Sequence, residues 1–125
     1  MYYIARESPT RVFEVNLERS DFSKSSVTEL TKMTGDIPNS DESGWAYDAS
    51  HQRIGGGVKD GAFYAFNPIN KSWTKQIMTP QSSSSQAVGT LAYHALAYDP
   101  IDQVFLFISN YSSGRHVWTC RYDGN

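Results

Sequence analysis

The hydrophobic pattern of this chain has a period of two over most of its length. In "AFYAFN" (Ala62 to Asn67), Phe63 falls on one side of an extended chain, and Tyr64 and Phe66 on the other. "VFLFI" (Val104 to Ile108) is apolar on both sides as well. Successive side chains of a strand point to opposite faces, so strands bulky on both faces are covered above and below. A helical pattern competes only in "SSVTELTKM" (Ser25 to Met33), where Ser26 and Glu29 are spaced as a capping box. Both strand and helix stay open for residues 25–33.

The same shapes recur at one spacing. Phe13, Val15, Asn16 and Phe22 lie 51 residues before Tyr64, Phe66, Asn67 and Trp73. Ala46, Tyr47, Asp48 and Gln52 lie 51 residues before Ala97, Tyr98, Asp99 and Gln103. Two unrelated segments on one period make a repeat. Each unit reads as four short strands, complete in Trp45–Asp48, Arg53–Val58, Ala62–Asn67 and Trp73–Met78. The first unit offers Tyr2–Arg6, Arg11–Asn16 and a looser segment between Phe22 and Lys32. The third offers His94–Asp99, Val104–Ser109 and Val117–Asp123, the last displaced by a hairpin that "SNYSSGRH" lengthens. Hence the expected fold is all-β: four-stranded antiparallel meanders repeating every 51 residues or so, within one domain over residues 1–125. The units divide as partial 1–43, full 44–80 and partial 93–125.

The connectors support this division. Asp60-Gly61 between two apolar runs is a hairpin signal. In "NPINKS", Pro68 presets its own φ and Asn67 can bond its own downstream backbone. "TGDIPNSDES" and "TPQSSSSQAVG" are loop-like and stand where one unit passes to the next. Meanders with buried faces and no helices to cover them stack on one another, which is the arrangement of a β-propeller.

Composition narrows the function classes. A net charge of −2 and a pI near 5.8 advertise neither a nucleic-acid nor a membrane partner. The single Cys120 excludes an internal disulfide. No signal peptide and no apolar run of membrane-spanning length is visible, so a cytoplasmic location is the expectation.

At the level of motif, the chain resembles the kelch repeat, including the galactose oxidase-like propellers. "IGGG" (Ile54 to Gly57) supplies the Gly-Gly, and "FNPINKSW" supplies the aromatic, the turn and the closing Trp73, with Phe66 in the usual Tyr place. His94 before "ALAYDP" resembles the His that often opens the innermost kelch strand. The first unit departs from the pattern with Val15 and Phe22, and the third has "FI" in place of the glycines. The resemblance implies about two and a half propeller blades, whose motif residues build blades and carry no chemistry.

A propeller closes with roughly four to eight blades. The expectation is therefore assembly, either as a homo-oligomer with a dimer of six blades favoured, or as part of a longer propeller. Met1 and the short length favour assembly of small chains; the incomplete units at each end favour a longer chain.

Function in such a scaffold belongs to loops. One rim would carry Arg6, Lys59, Asp60, His94, Tyr111, Arg115 and His116, a mixed polar set suited to a protein or sugar ligand. No catalytic residue is assigned. The chain shows no nucleophile elbow, no Ser-His-Asp order and no phosphate-binding glycine loop, so an enzyme is not favoured. The three His have no metal-ligand spacing. The galactose oxidase resemblance raises copper, but no metal motif matches residue by residue, and no cofactor is expected. The leading expectation is a binding or interaction module. A lectin-like assembly, using Trp45 or Trp118, is the first alternative, and a copper oxidase-like scaffold a distant one.

Overall fold

The computed structural model describes residues 1–5, 7–39, 44–79, 95–111 and 114–122, without the side chains of 109–111 and 114–116. Eleven strands form three sheets among them, and there is no α-helix. The first sheet joins β1 (Tyr2–Ala5), β2 (Arg11–Asn16) and β3 (Ser26–Glu29) in that order. The central sheet has the order β4-β8-β7-β6-β5, with β4 at Thr34–Gly35, β5 at Trp45–Asp48, β6 at Arg53–Lys59, β7 at Ala62–Asn67 and β8 at Ser72–Ile77. The third joins β9 (Ala95–Asp99), β10 (Val104–Tyr111) and β11 (Gly114–Cys120). Every pair is antiparallel except β4 with β8. No sheet closes on itself among the described residues.

The central sheet is filled on both faces, for the reason visible in its sequence. Phe63 and Ala65 point to one side and join Val58, Phe105, Phe107, Cys120 and Tyr122. Phe66 and Trp73 point to the other and join Ile4, Val12 and Leu30. Phe63 meets Phe105 at 4.9 Å between ring centres, and Phe66 meets Trp73 at 5.0 Å. Two separate cores therefore hold a stack of three sheets. Cys120 is a buried free thiol in one of them.

Three hairpin turns share one design. Asp48, Asn67 and Asp99 each accept, through Oδ1, the backbone N–H groups two and three residues on. Each loop then passes through a left-handed residue, Gln52, Lys71 or Gln103, with φ between 53° and 57°. The carboxylate or amide satisfies the turn amides and leaves the fourth loop residue to reverse the chain. Asp48 and Asp99 are themselves 51 residues apart. At the opposite end of the central sheet, Asp60 and Gly61 both have positive φ, 50° and 73°, the signature of a type I′ hairpin.

The segment left open between strand and helix is a strand, and the chain departs from the sequence expectations at three other places. Residues 26–29 form a strand and Phe22–Lys24 a 3₁₀ turn, in which Asp21 accepts from the Ser23 N–H. That turn lifts Phe22 to 73% exposure; Val27, opposite Val15 as Trp73 is opposite Phe66, takes the Trp73 place on the exposed face, and Leu30 enters the core beside Val12. Thr34–Gly35, expected as loop, adds a short parallel strand on β8 and covers its edge. The extra residues of the third unit lengthen β10 and β11, whose pairing continues to Tyr111 and Gly114.

Candidate functional site

Two places on this scaffold bring polar or aromatic groups together. The first is the end of the stack that carries the Asp60-Gly61 turn. There Lys59 Nζ donates to the Asn39 carbonyl at 2.7 Å, the Ser8 hydroxyl meets Asn39 Oδ1, and Thr10 N–H donates to the Pro38 carbonyl at 3.1 Å. The hairpin loop between β1 and β2, the connector at 38–39 and the β6–β7 turn thus meet at one rim. Next to it, Arg11 forms a fork with Glu29, Nε to Oε1 at 2.7 Å and Nη2 to Oε2 at 2.5 Å, and reaches Glu7 at 3.1 Å. The bond from Arg11 holds the Glu29 carboxyl below its ordinary pKa. These charges neutralise one another on the surface and contribute little to stability.

Of the residues expected at this rim, Lys59 is there, at the end of β6. Asp60 is there too, but its left-handed φ marks it as a turn-forming residue. Tyr111, Arg115 and His116 belong to the β10–β11 ladder, pairing with Gly114, Asn110 and Ser109, and not to a loop. Arg6 and His94 lie outside the described residues. At the opposite end of the stack, Asp48, Asn67 and Asp99 spend their acceptors on their own turns. Asp48 also holds His51 Nδ1 at 2.7 Å. Burial acts to raise the Asp48 pKa, but bonds from the His51 ring and backbone, with nearby Tyr98, outweigh it and lower it. His51 makes the closest of these contacts, and the buried Tyr98 hydroxyl has no hydrogen-bond partner among the described residues. Burial raises the Tyr98 phenol itself.

The second place is an open groove of about 740 Å³ between the first and central sheets. Tyr2, Tyr3 and Ile4 of β1 form one wall, and Trp45, Ala46 and Tyr47 of β5 form the floor. Trp45 is fixed by an edge-on contact with Trp73 at 5.4 Å. It also lies against the glycines of β6: a Cβ on Gly57 would come within 2.6 Å of its ring. Tyr2 packs edge-on against Phe66 and directs its hydroxyl toward Glu14 Oε1 and the Pro68 carbonyl, at 3.3 and 3.4 Å. Burial, and then the Glu14 charge, raise its pKa. Trp118, the other candidate for a sugar platform, packs against the core between the central and third sheets.

Sequence reasoning singled out Trp45 but not the groove. Its walls come from residues some 40 positions apart, and no local pattern joins them. Among the described residues, no three His, Cys, Asp or Glu cluster closely enough to hold a metal ion. No described helix is long and apolar enough to cross a membrane. No family model matches the chain, and neither do any curated protein or solved structure.

Proposed function

We propose that the chain is a binding or interaction module on a kelch-like β-propeller segment, in which each sheet is a complete or partial blade. The support is the stack itself: meandering sheets, face to face, with one turn design recurring 51 residues apart. The observation that carries the interaction reading is the state of the two outermost faces. The central sheet is covered on both sides, whereas Val27 on the first sheet is 67% exposed and Val117 on the third 65% exposed. Tyr3 and Ile108 are uncovered beside them. Such faces on neighbouring blades are normally buried, and contiguous apolar patches of this kind mark interaction surfaces.

The partner favoured by this reading is a second copy, with the outer face of one third sheet on the outer face of the other copy's first sheet. Two such joints close a ring of six blades with two-fold symmetry. Sedimentation velocity tests the assembly: the expected species has twice the 14.0 kDa mass of one chain. Val27→Arg combined with Val117→Arg should return it to a monomer. A clean monomer of the parent protein at micromolar concentration overturns the reading. The carbohydrate alternative rests on the aromatic floor of the groove, Trp45 and Tyr47. Titration with simple sugars, read by tryptophan fluorescence, tests it.

A further inference from the structure

The groove beside β1 lies where a further strand would join that edge, and among the described residues none does. In the central sheet β5 pairs with β6, and in the third sheet β9 pairs with β10. Both added strands carry one pattern: Trp45-Ala46-Tyr47-Asp48 and Leu96-Ala97-Tyr98-Asp99. Among the described residues, β1 of the first sheet has a partner on one side only, β2.

Its other edge is open for pairing. Met1 and Val15 exchange both backbone bonds, N to O at 3.1 and 2.7 Å. Hydrogen-bonded pairs alternate along an antiparallel ladder, so Tyr3 bonds to Phe13, and the backbone groups of Tyr2 and Ile4 face away from β2. A row of such groups is a template for another strand.

The floor of the groove specifies what that strand carries. Ala46 packs against the core beneath Leu96 and Tyr98 of the neighbouring sheet. Trp45 and Tyr47 are the residues that stand one sheet earlier in the places of Leu96 and Tyr98, yet Tyr47 is 54% exposed. Among the described residues, no strand lies over it. The register follows from β2 and β7: Phe13 and Tyr64 are 51 residues apart and pair with Tyr3 and Gly56. Gly56 pairs with Trp45 and Gly55 with Ala46. A strand of the same kind on β1 therefore places its bulky residue opposite Tyr3 and its alanine opposite Tyr2, facing Trp45 and Tyr47.

We propose that this edge binds an extended peptide of the pattern bulky apolar residue–Ala–Tyr–Asp, added antiparallel to β1. The inference rests on the blade reading given above, since it uses the correspondence between sheets. Main-chain bonds supply affinity, and the small side chain opposite Tyr2 supplies selectivity. Free backbone donors and acceptors along β1 favour a peptide over a sugar for this groove.

A labelled peptide with the chain's own β5 sequence, Gly-Trp-Ala-Tyr-Asp-Ala-Ser, tests the proposal by fluorescence anisotropy against the full 125-residue chain. Saturable binding is expected. N-methylation of the alanine between Trp and Tyr, whose N–H faces β1, should weaken it at least tenfold, as should replacing that alanine by leucine. N-methylation of the peptide tyrosine, whose N–H faces outward, should leave it within about twofold. On the protein, Tyr47→Ser alters an exposed side chain and should weaken binding severalfold with the melting temperature unchanged. Absence of binding at up to about 1 mM peptide, or equal loss from the two N-methyl peptides, overturns the proposal. A fluorescence response to simple sugars with no peptide binding overturns it in favour of the carbohydrate reading. A monomer that binds the peptide overturns the assembly alone, and a dimer that does not bind it overturns this site alone.

Discussion

Gly55 is the most exacting test of how closely the central and third sheets approach. It lies in β6, with no left-handed φ, so the backbone tolerates alanine there. The space does not. A Cβ at this position would stand 2.5 Å from Phe63 Cζ and 2.6 Å from Phe105 Cζ. Ordinary carbon contacts are about 3.5–4.0 Å, so each ring must retreat by about 1 Å. Both rings are fully buried, and Phe63 is further hemmed in by Phe107 and Tyr122 at 5.9 and 5.8 Å. Overpacking of this kind costs about 1–3 kcal/mol, and Gly55→Ala is expected in that range by urea unfolding at fixed protein concentration. Phe105→Leu removes the ring tip that the methyl strikes. The double variant should therefore be more stable than the sum of the two single losses by about 1 kcal/mol. A Gly55→Ala protein within about 0.5 kcal/mol of the parent, or strictly additive losses, would show that the sheets do not meet at this glycine.

Further substitutions test the turns. Gly61→Ala forces a side chain into φ 73° and should cost about 1 kcal/mol or more by thermal unfolding, whereas Gly61→Asn, a residue that tolerates positive φ, should cost less. Equal losses from the two would contradict a turn set by the left-handed backbone at Gly61. For Asp48, the depressed native pKa means that its stabilising effect is present above the ordinary value of 3.8 and is lost as pH falls through the native value. Asp48→Asn keeps an oxygen for the Ser50 and His51 amides but cannot titrate. Its melting temperature should fall less steeply than the parent's below about pH 4. Parallel curves would refute the assignment.

Phe63 and Phe66 made the stacking legible in the sequence. A strand that presents bulk to both faces needs cover on both, and each ring is fully buried in its own core. Asp60-Gly61 was legible because type I′ geometry demands residues that tolerate positive φ. Asn67 was legible as an acceptor for its own turn, and the same bond pattern at Asp48 and Asp99 follows the 51-residue spacing. What stayed hidden depends on tertiary context. β4 is two residues long and has no pattern of its own; it forms because β8 offers an edge and because Gly35, at φ 84°, fits against the Trp73 carbonyl. Phe22 matched Trp73 by position, but Asp21 caps a local turn that carries it out of register. Extension of β10 and β11 absorbed residues that read as a loop, so Tyr111, Arg115 and His116 pair in the ladder.

The residues that carry the kelch resemblance are thereby assigned to packing. Phe66 and Trp73 fill one core, Gly55 admits two phenylalanine rings at the other, and Asn67 closes a turn. Trp73 Nε1 donates to the Met33 sulfur, and Asn67 Oδ1 is taken by its own turn. Among the described residues, the chemistry left over is an aromatic floor with no strand on it, a strand edge with outward backbone groups, and two exposed apolar faces. On the blade reading proposed above, these features share one origin. Units that bury each other in a stack leave open, on its outer sheets, the contacts that the inner sheet has satisfied. The inner joints therefore predict the character of the outer ones: an alanine under an aromatic pair at the groove, and phenylalanine-sized bulk at the faces.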